Sequence, residues 1–358
     1  MPKLGLGAST RNSGVIHSGL YYAPGSLKAK HCVRGNRLTY EFCAKHNVPH
    51  RRTGKLVVAS SLEEAHELSA LVENGRANGV ENLRLIDSAA IRAREPHIAG
   101  VQAIDVPSTG IVESEELLKA CARLAVDRGA HLLTNARVTR LQVTDVADSA
   151  IRVTSAAGEI AARCVINSAG LYADEIAALL GSQMARHRIY PVRGEYCELV
   201  RSKQNWINGL VYPLPHPEGV SLGTHFTKTL AGNVWIGPTT RYIDSKNDYE
   251  RDREPIEYFA RLAKLLMPEI EAADLVQAHS GIRAKLVPPS SSRASAPAAS
   301  SQGGTTQGKY SASTGDFVIE RDPNFPHVVQ LIGIESPGLT SALSIAEHVR
   351  NLVTEILN

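Results

Sequence analysis

The sequence predicts a mixed α/β fold in which a discontinuous nucleotide-type domain is interrupted by a mainly antiparallel β lobe. An apolar run, Cys164-Val165-Ile166-Asn167, ends in small residues and leads into a helical pattern that stops at Gly181. The same order of strand, glycine break and helix recurs from Val328 to the C-terminus. Such a strand is typical of a parallel strand buried on both faces. Residues 190–282, between these segments, are rich in Tyr, Trp, Thr and Pro, which favours β-structure.

The clearest single helix is predicted over residues 113–129. Three glutamates occupy its first turn, where the helix dipole favours negative charge, and Gly129 suits its C-terminal cap. Apolar residues recur between them at helical spacing. Apolar and polar residues alternate over 141–143 and 151–153, which predicts two half-buried antiparallel strands. A further helix is predicted around residues 255–266.

Composition excludes several classes of protein. The 358 residues allow two domains, and 43% hydrophobic with 21% charged residues is ordinary for a globular chain. A net charge of +3, evenly spread, argues against a nucleic-acid partner, and no apolar run reaches the length of a transmembrane segment. The five cysteines show no C-x-x-C spacing, which argues against disulfides and structural zinc. Residues 290–308 are nearly all small or polar and are predicted to be a disordered insertion.

The N-terminal loop Asn12-Ser13-Gly14-Val15-Ile16-His17-Ser18-Gly19 is the first candidate site. Small residues let a backbone approach a flat ligand closely and offer N–H donors to it. A histidine within such a loop is placed to touch that ligand. By composition alone, a glycine- and serine-rich turn with a structural histidine is an equally good interpretation.

This loop, continued by Leu20-Tyr21-Tyr22, resembles the family of L-2-hydroxyglutarate dehydrogenases and oxidases, within the D-amino-acid-oxidase-like FAD-dependent oxidoreductases. Similar short stretches follow in order along the chain, at residues 167–174, 191–196, 210–215, 223–227, 234–238, 281–284 and 335–341. The resemblance implies oxidation of L-2-hydroxyglutarate, a small 2-hydroxy diacid, to 2-oxoglutarate by hydride transfer to FAD. It also implies a mitochondrial location and a separate electron acceptor, either a quinone or an electron-transfer protein.

The resemblance divides the chain into two domains. The FAD-binding domain comprises residues 1–55, 100–187 and 311–358, and the substrate domain comprises residues 56–99 and 188–289. The residues implied to lie along the flavin ring are Asn12, Ser13, Gly14, Val15 and His17. Those implied to lie at the far edge of the ring are Gly333, Pro337, Gly338, Leu339 and Thr340. Ala169 and Gly170 are implied to lie near the ribityl and phosphate groups, and Val138 beside the adenine. For Val138 a simple core role fits nearly as well. Free N–H groups where the last helix opens would stabilise negative charge on a reduced flavin, although a plain Pro-Gly helix start is the alternative.

A 2-hydroxy diacid needs cationic partners for two carboxylates and a base for its hydroxyl proton. Arg193, Arg241 and Arg283 are the candidate cations, with Arg283 favoured by the family pattern and Arg241 by default a surface residue. Histidine titrates near neutral pH, so we predict His225 as the base and His17 as a flavin or substrate contact. Either histidine is also compatible with a core role. The remaining histidines show no metal-ligand spacing.

One departure from the family pattern affects the cofactor prediction. Family members begin with a strand, a G-x-G-x-x-G loop and a helix, whereas Gly5-Leu6-Gly7 is followed by Thr10 in the third glycine's place and by no helical pattern. The first βαβ unit, roughly 30 residues, is therefore expected to be missing.

Two alternative functions stay open. One is an FAD enzyme for another 2-hydroxy or amino acid, and the other is an inactive remnant without FAD that acts at most as a binding protein.

Overall fold

The computed structural model describes residues 1–145, 150–215, 223–289 and 315–358, and the mixed α/β fold is confirmed. The predicted insertion at 290–308 lies outside the described residues. The described α-helices are α1 (Leu27–His46), α2 (Leu62–Ala77), α3 (Ser88–Arg94), α4 (Ser114–Val126), α5 (Ala173–Leu179), α6 (Ile256–Ala263) and α7 (Gly338–Leu357). The described strands are β1 (Val15–Ile16), β2 (His50–Arg51), β3 (Leu56–Ala59), β4 (Arg84–Asp87), β5 (Gln102–Asp105), β6 (Gly110–Val112), β7 (Val138–Asp145), β8 (Ala150–Ser155), β9 (Gly158–Ala162), β10 (Val165–Asn167), β11 (Tyr190–Leu199), β12 (Leu210–Pro213), β13 (His225–Lys228), β14 (Val234–Gly237), β15 (Arg241–Tyr242), β16 (Leu275–Lys285), β17 (Val318–Arg321) and β18 (Val328–Ile332).

The β lobe is built on a nine-stranded, mainly antiparallel sheet. Its strand order is β15-β11-β14-β13-β12-β3-β5-β4, with β16 paired along the long strand β11. Strands β12 and β3 run parallel where they pair. Phe226 and Ile236 from this sheet and Phe259 from α6 are fully buried in one apolar core. Because β5 belongs to the sheet, the lobe extends to Asp105, beyond the predicted boundary at residue 99.

The nucleotide-type part contains the parallel pair that the two apolar runs predict. Strand β10 lies parallel to β18, with Val165 opposite Val328 and Asn167 opposite Gln330. Burial on both faces is confirmed for β18, all of whose residues are buried. It is wrong for β10, where Ile166 is 45% exposed. Strand β10 is also the edge strand of this sheet, since β18 is its one partner among the described strands.

The local helix and strand predictions hold, although the helices are shorter and the strands longer than predicted. The helix predicted over 113–129 is α4, and the helix predicted around 255–266 is α6. Strands β7 and β8 form the predicted antiparallel pair, and β9, which was not predicted, pairs with β8 as a third strand. Helix α1 is capped at its N-terminus by Ser26, whose hydroxyl accepts the Ala29 N–H, and it packs against α7. This packing holds the N-terminal loop against the start of the last helix.

Gly35 makes the close approach of α1 and α7 possible. A methyl group at this position would lie 2.2 Å from the Thr340 carbonyl oxygen and 2.9 Å from the Ser341 Cα atom. Backbone atoms cannot move aside cheaply, so we expect Gly35→Ala to lower the free energy of unfolding by about 1–3 kcal/mol. Denaturant titration measures this, with Gly7→Ala as the control because its added methyl has no heavy atom within 4 Å. Equal stability of the two variants would contradict the packing argument.

Candidate active site

The N-terminal loop is bent so that its end meets the start of α7. The Asn12 side chain accepts the Gly14 N–H at 2.8 Å, and the Gly14 carbonyl accepts the Val112 N–H at 2.8 Å. Gly14 has φ +63°, and a Cβ atom there would lie 2.6 Å from the Val112 oxygen, so glycine is required. The Thr340 hydroxyl accepts the His17 N–H at 3.0 Å and donates to the Val15 carbonyl at 3.2 Å.

His17 is held in its neutral form at this junction. Its Nε2 lies 3.4 Å from the Ser336 hydroxyl, and its Nδ1 is buried without a hydrogen-bond partner among the described residues. Burial, and then the charge of Lys55, lowers the pKa of His17 to about 3. A neutral imidazole with a free nitrogen can accept a proton or a hydrogen bond from a ligand.

His225 begins β13 and faces the same region. Its ring stacks on Tyr212 with centroids 3.7 Å apart and a 12° angle between the planes. Its Nδ1 lies 3.1 Å from the Gly223 carbonyl, which can only accept, so Nδ1 carries the hydrogen and Nε2 is left as a proton acceptor. Burial lowers the pKa of His225 well below its ordinary value. The hydrogen bond to Gly223 raises this pKa, whereas the nearby His17, Lys55 and Arg283 lower it further.

Arg283 and Arg193 have opposite surroundings on the paired strands β16 and β11. Arg283 is partly buried, and one of its nitrogens donates to the Thr239 carbonyl at 2.8 Å. Arg193 is 1% exposed, its Nε lies 2.9 Å from Glu195, and its other nitrogens donate to main-chain carbonyls of residues 248–252. Because a buried guanidinium needs such partners, the predicted role of Arg193 in substrate binding is replaced by a structural one. Arg241 donates to the Asp252 carbonyl and is half-buried.

The loop before α7 is fixed by a buried ionic cluster. Glu335 lies 2.9 Å from the Lys28 ammonium and 3.6 Å from that of Lys285. Burial would raise the pKa of Glu335, but Lys28, Lys285 and Arg283 together lower it, so the carboxylate is ionised. The cluster therefore ties α1 and β16 to the segment that carries Ser336 and Pro337.

Ala169, Gly170 and Gly333 follow the parallel strands β10 and β18 at the same edge of their sheet. Gly170 has φ +59°, and a Cβ atom there would meet no heavy atom within 4 Å, so its backbone faces open space. Val138 lies apart from this group, since it packs against the apolar cluster of Leu141, Ile151 and Val328. Its proposed contact with adenine stays a prediction.

Comparison with known proteins decides the family. The DAO family, described as FAD dependent oxidoreductase, matches residues 2–352. This chain belongs to the FAD dependent oxidoreductase family. It is 31% identical to a protein named L-2-hydroxyglutarate dehydrogenase from Indibacter alkaliphilus, over 94% of this chain and 86% of that protein. It is 38% identical to the mitochondrial L-2-hydroxyglutarate dehydrogenase of Bos taurus, over 70% of this chain and 55% of that protein.

Two solved oxidase structures share the fold. An L-α-glycerophosphate oxidase from Mycoplasma pneumoniae with FAD bound superposes with a TM-score of 0.82 at 23% identity, over 99% of this chain and 86% of that one. Glycine oxidase from Geobacillus kaustophilus gives a TM-score of 0.76 at 18% identity, again over 99% and 86% of the two chains. At these identities the likeness concerns the fold alone.

The described residues fit the flavin end of the FAD that the family binds. The first N–H groups of α7, those of Leu339 and Thr340, have no acceptor within the described residues, and such groups favour a negatively charged ring edge. The open backbone at Gly170 leaves room for a ligand. Gly5 lies in a turn, where its carbonyl accepts the Thr10 hydroxyl. Among the described residues around Gly5 there is no strand that leads through a glycine loop into a helix. The contacts for the diphosphate are therefore not matched within the described residues.

Sequence reasoning missed three aromatic or basic residues at or near the site. Tyr212 stacks on His225, Tyr196 stacks on His279 with ring centroids 4.6 Å apart, and Lys55 is buried beside Tyr212. The available signal was Lys55 itself, a cation placed directly before the fully apolar strand β3. A lysine at such a position is ordinarily expected to be exposed to solvent, as most lysines are.

Two negative findings concern the described residues alone. No helix among them is both long and apolar enough to cross a bilayer. No group of three or more His, Cys, Asp or Glu side chains among them is arranged to hold a metal ion. The five cysteines are free thiols.

Proposed function

We propose that this chain catalyses the FAD-dependent oxidation of L-2-hydroxyglutarate to 2-oxoglutarate. The observation that carries the proposal is the position of neutral His225 beside the partly buried Arg283, next to the loop that holds His17. The names of the Indibacter and bovine relatives support the choice of substrate. Another 2-hydroxy acid or an amino acid is the competing substrate class.

The proposed chemistry divides between the residues of this chain as follows. Nε2 of His225 accepts the hydroxyl proton of the substrate while the hydrogen on the same carbon leaves as hydride, so the C–OH group becomes C=O. When bound, FAD supplies the acceptor for that hydride and its two electrons. Arg283 binds the carboxylate that distinguishes a diacid from a monoacid, and His17 hydrogen-bonds to the reacting end of the substrate. The proton on His225 then passes to solvent.

The acceptor and location follow from the same relatives. We propose that a quinone or an electron-transfer protein reoxidises the flavin and that the protein is mitochondrial. The mitochondrial names of the animal and plant relatives support this location, while the Indibacter relative is bacterial. Oxygen consumption that matches turnover in the absence of an added acceptor would contradict the separate acceptor.

A visible spectrum provides the direct test of cofactor and substrate. The chain purified in the presence of FAD is expected to retain yellow oxidised flavin after gel filtration, and anaerobic L-2-hydroxyglutarate is expected to bleach it. The D-enantiomer, L-lactate and glycine are the controls, because each lacks either the handedness or the second carboxylate. A colourless protein would favour the binding-protein alternative, and equal bleaching by glycine or L-lactate would favour the other substrate class.

A further inference from the structure

Lys55 is a buried cation enclosed by aromatic rings. Its main chain pairs with Val106, with N–H to oxygen distances of 3.1 and 2.9 Å, directly after the turn at Gly54 (φ +67°). Its ammonium donates to the Tyr21 hydroxyl at 3.1 Å and lies 4.4 and 4.6 Å from the ring centroids of Tyr21 and Tyr212. The residue is 1% exposed.

No acid among the described residues neutralises this charge. Other buried cations of the molecule have carboxylate partners: Lys28 and Lys285 have Glu335, and Arg193 has Glu195. Lys55 forms no ion pair within the described ranges. An isolated buried charge is costly, so a chain that retains one in a candidate active site is suited to a ligand that supplies the opposite charge.

The groups that face Lys55 are all neutral near pH 7. Burial raises the pKa of the Cys32 thiol on α1 and those of the Tyr21 and Tyr212 hydroxyls, and it lowers the pKa values of His17 and His225. Burial likewise lowers the pKa of Lys55 itself to about 7. The ammonium is therefore only partly protonated at neutral pH before a ligand arrives.

We propose that Lys55 is the charge-compensating residue for a dianionic ligand, so that binding of a dicarboxylate is coupled to uptake of a proton by Lys55. The inference rests on the proposed function and deepens it, because it names the charge class that the site selects. Both the ammonium and the His225 ring lie against Tyr212, which places them within about 8 Å of each other, a distance over which charges interact in a protein interior. Arg283 makes the direct contact with the ligand, and Lys55 acts on it through space.

Glutarate is the probe, because it is a dicarboxylate that cannot be oxidised at a hydroxyl-bearing carbon. Its binding to the full chain supplied with FAD is measured by calorimetry at pH 6.5 and 8, each in two buffers of different ionisation enthalpy. As pH rises through about 7, free Lys55 loses its proton, so we expect the Kd to rise about tenfold and proton uptake to approach one per glutarate at pH 8. Butyrate, a monocarboxylate, is expected to bind with a smaller pH dependence.

Variants of Lys55 separate charge from packing. Lys55→Met is expected to bind glutarate about tenfold more weakly than the wild type at pH 6.5, with no proton uptake, whereas Lys55→Arg keeps a fixed charge and should bind equally well at both pH values. Lys264→Met is the control and should behave as the wild type, because Lys264 is an exposed lysine directly after α6 that pairs with Glu271. If neither Lys55 variant folds, proton uptake by the wild type still decides. Glutarate that binds equally at both pH values without proton uptake contradicts this inference alone, whereas glutarate that fails to bind at pH 6.5 contradicts the proposed function.

Discussion

Replacing His225 by glutamine is expected to lower kcat for L-2-hydroxyglutarate by about 10²–10⁴-fold, because the substrate hydroxyl loses its proton acceptor. Glutamine keeps a polar side chain of similar size, so the KM is expected to change by less than the kcat. In the wild type His225 is already neutral, since burial holds its pKa well below 6.5. Protonation of this residue therefore does not limit kcat between pH 6 and 8.

Steady-state rates with an artificial electron acceptor measure this effect, alongside circular dichroism to confirm the fold. His66→Gln is the matched control, because His66 is an exposed histidine of α2. A His225→Gln enzyme with a kcat within threefold of the wild type would remove His225 from the role of base. His17 would then be the next residue to test, because its Nδ1 also has no partner in the described part of the chain.

The parallel sheet was predictable because its signals are local. A mainly apolar strand followed by glycine and a helical pattern can be recognised without knowledge of distant residues, and β18 with α7 has this form, with Gln330 as its one polar residue. The exposure of Ile166 in β10 was not predictable in the same way. Whether a strand is covered depends on what packs against it, and the strand's own residues do not contain that information.

The candidate site was predictable in its glycines and histidines but not in its charges. The loop that carries Gly14 and His17 was identified from its small residues and its family resemblance, and the structure brings it against Thr340. By contrast, the sequence around Arg193 and Arg283 does not distinguish their roles, because each arginine lies on a long strand of the β lobe. Glu195 and the carbonyls of residues 248–252 make Arg193 structural, and the carbonyls belong to a turn more than 50 residues away from Arg193.

Lys55 illustrates the same limit for a group that sequence reasoning omitted. Its surroundings come from α1, β12 and the segment after β1, so its burial arises from tertiary packing. A lysine before an apolar strand is usually a solvated end of that strand, because most lysines keep their ammonium groups in water. The lack of an acidic partner becomes visible when the ion pairs of the folded chain are compared.

Replacing Arg283 by alanine is expected to raise the KM for L-2-hydroxyglutarate by about 10–100-fold, which is the loss of a charge-assisted hydrogen bond to a carboxylate. The KM for L-2-hydroxybutyrate, which lacks the second carboxylate, is expected to change only a few-fold. Arg241→Ala is the matched control, because Arg241 lies on β15, on the other side of β11 from the strand of Arg283, and donates to a main-chain carbonyl. Lysine at position 283 should restore part of the affinity, since it keeps the charge without the planar fork of donors. An equal rise for both substrates would place Arg283 at the carboxylate that they share, and the selectivity for diacids would then have to come from Lys55 or from a residue outside this cluster.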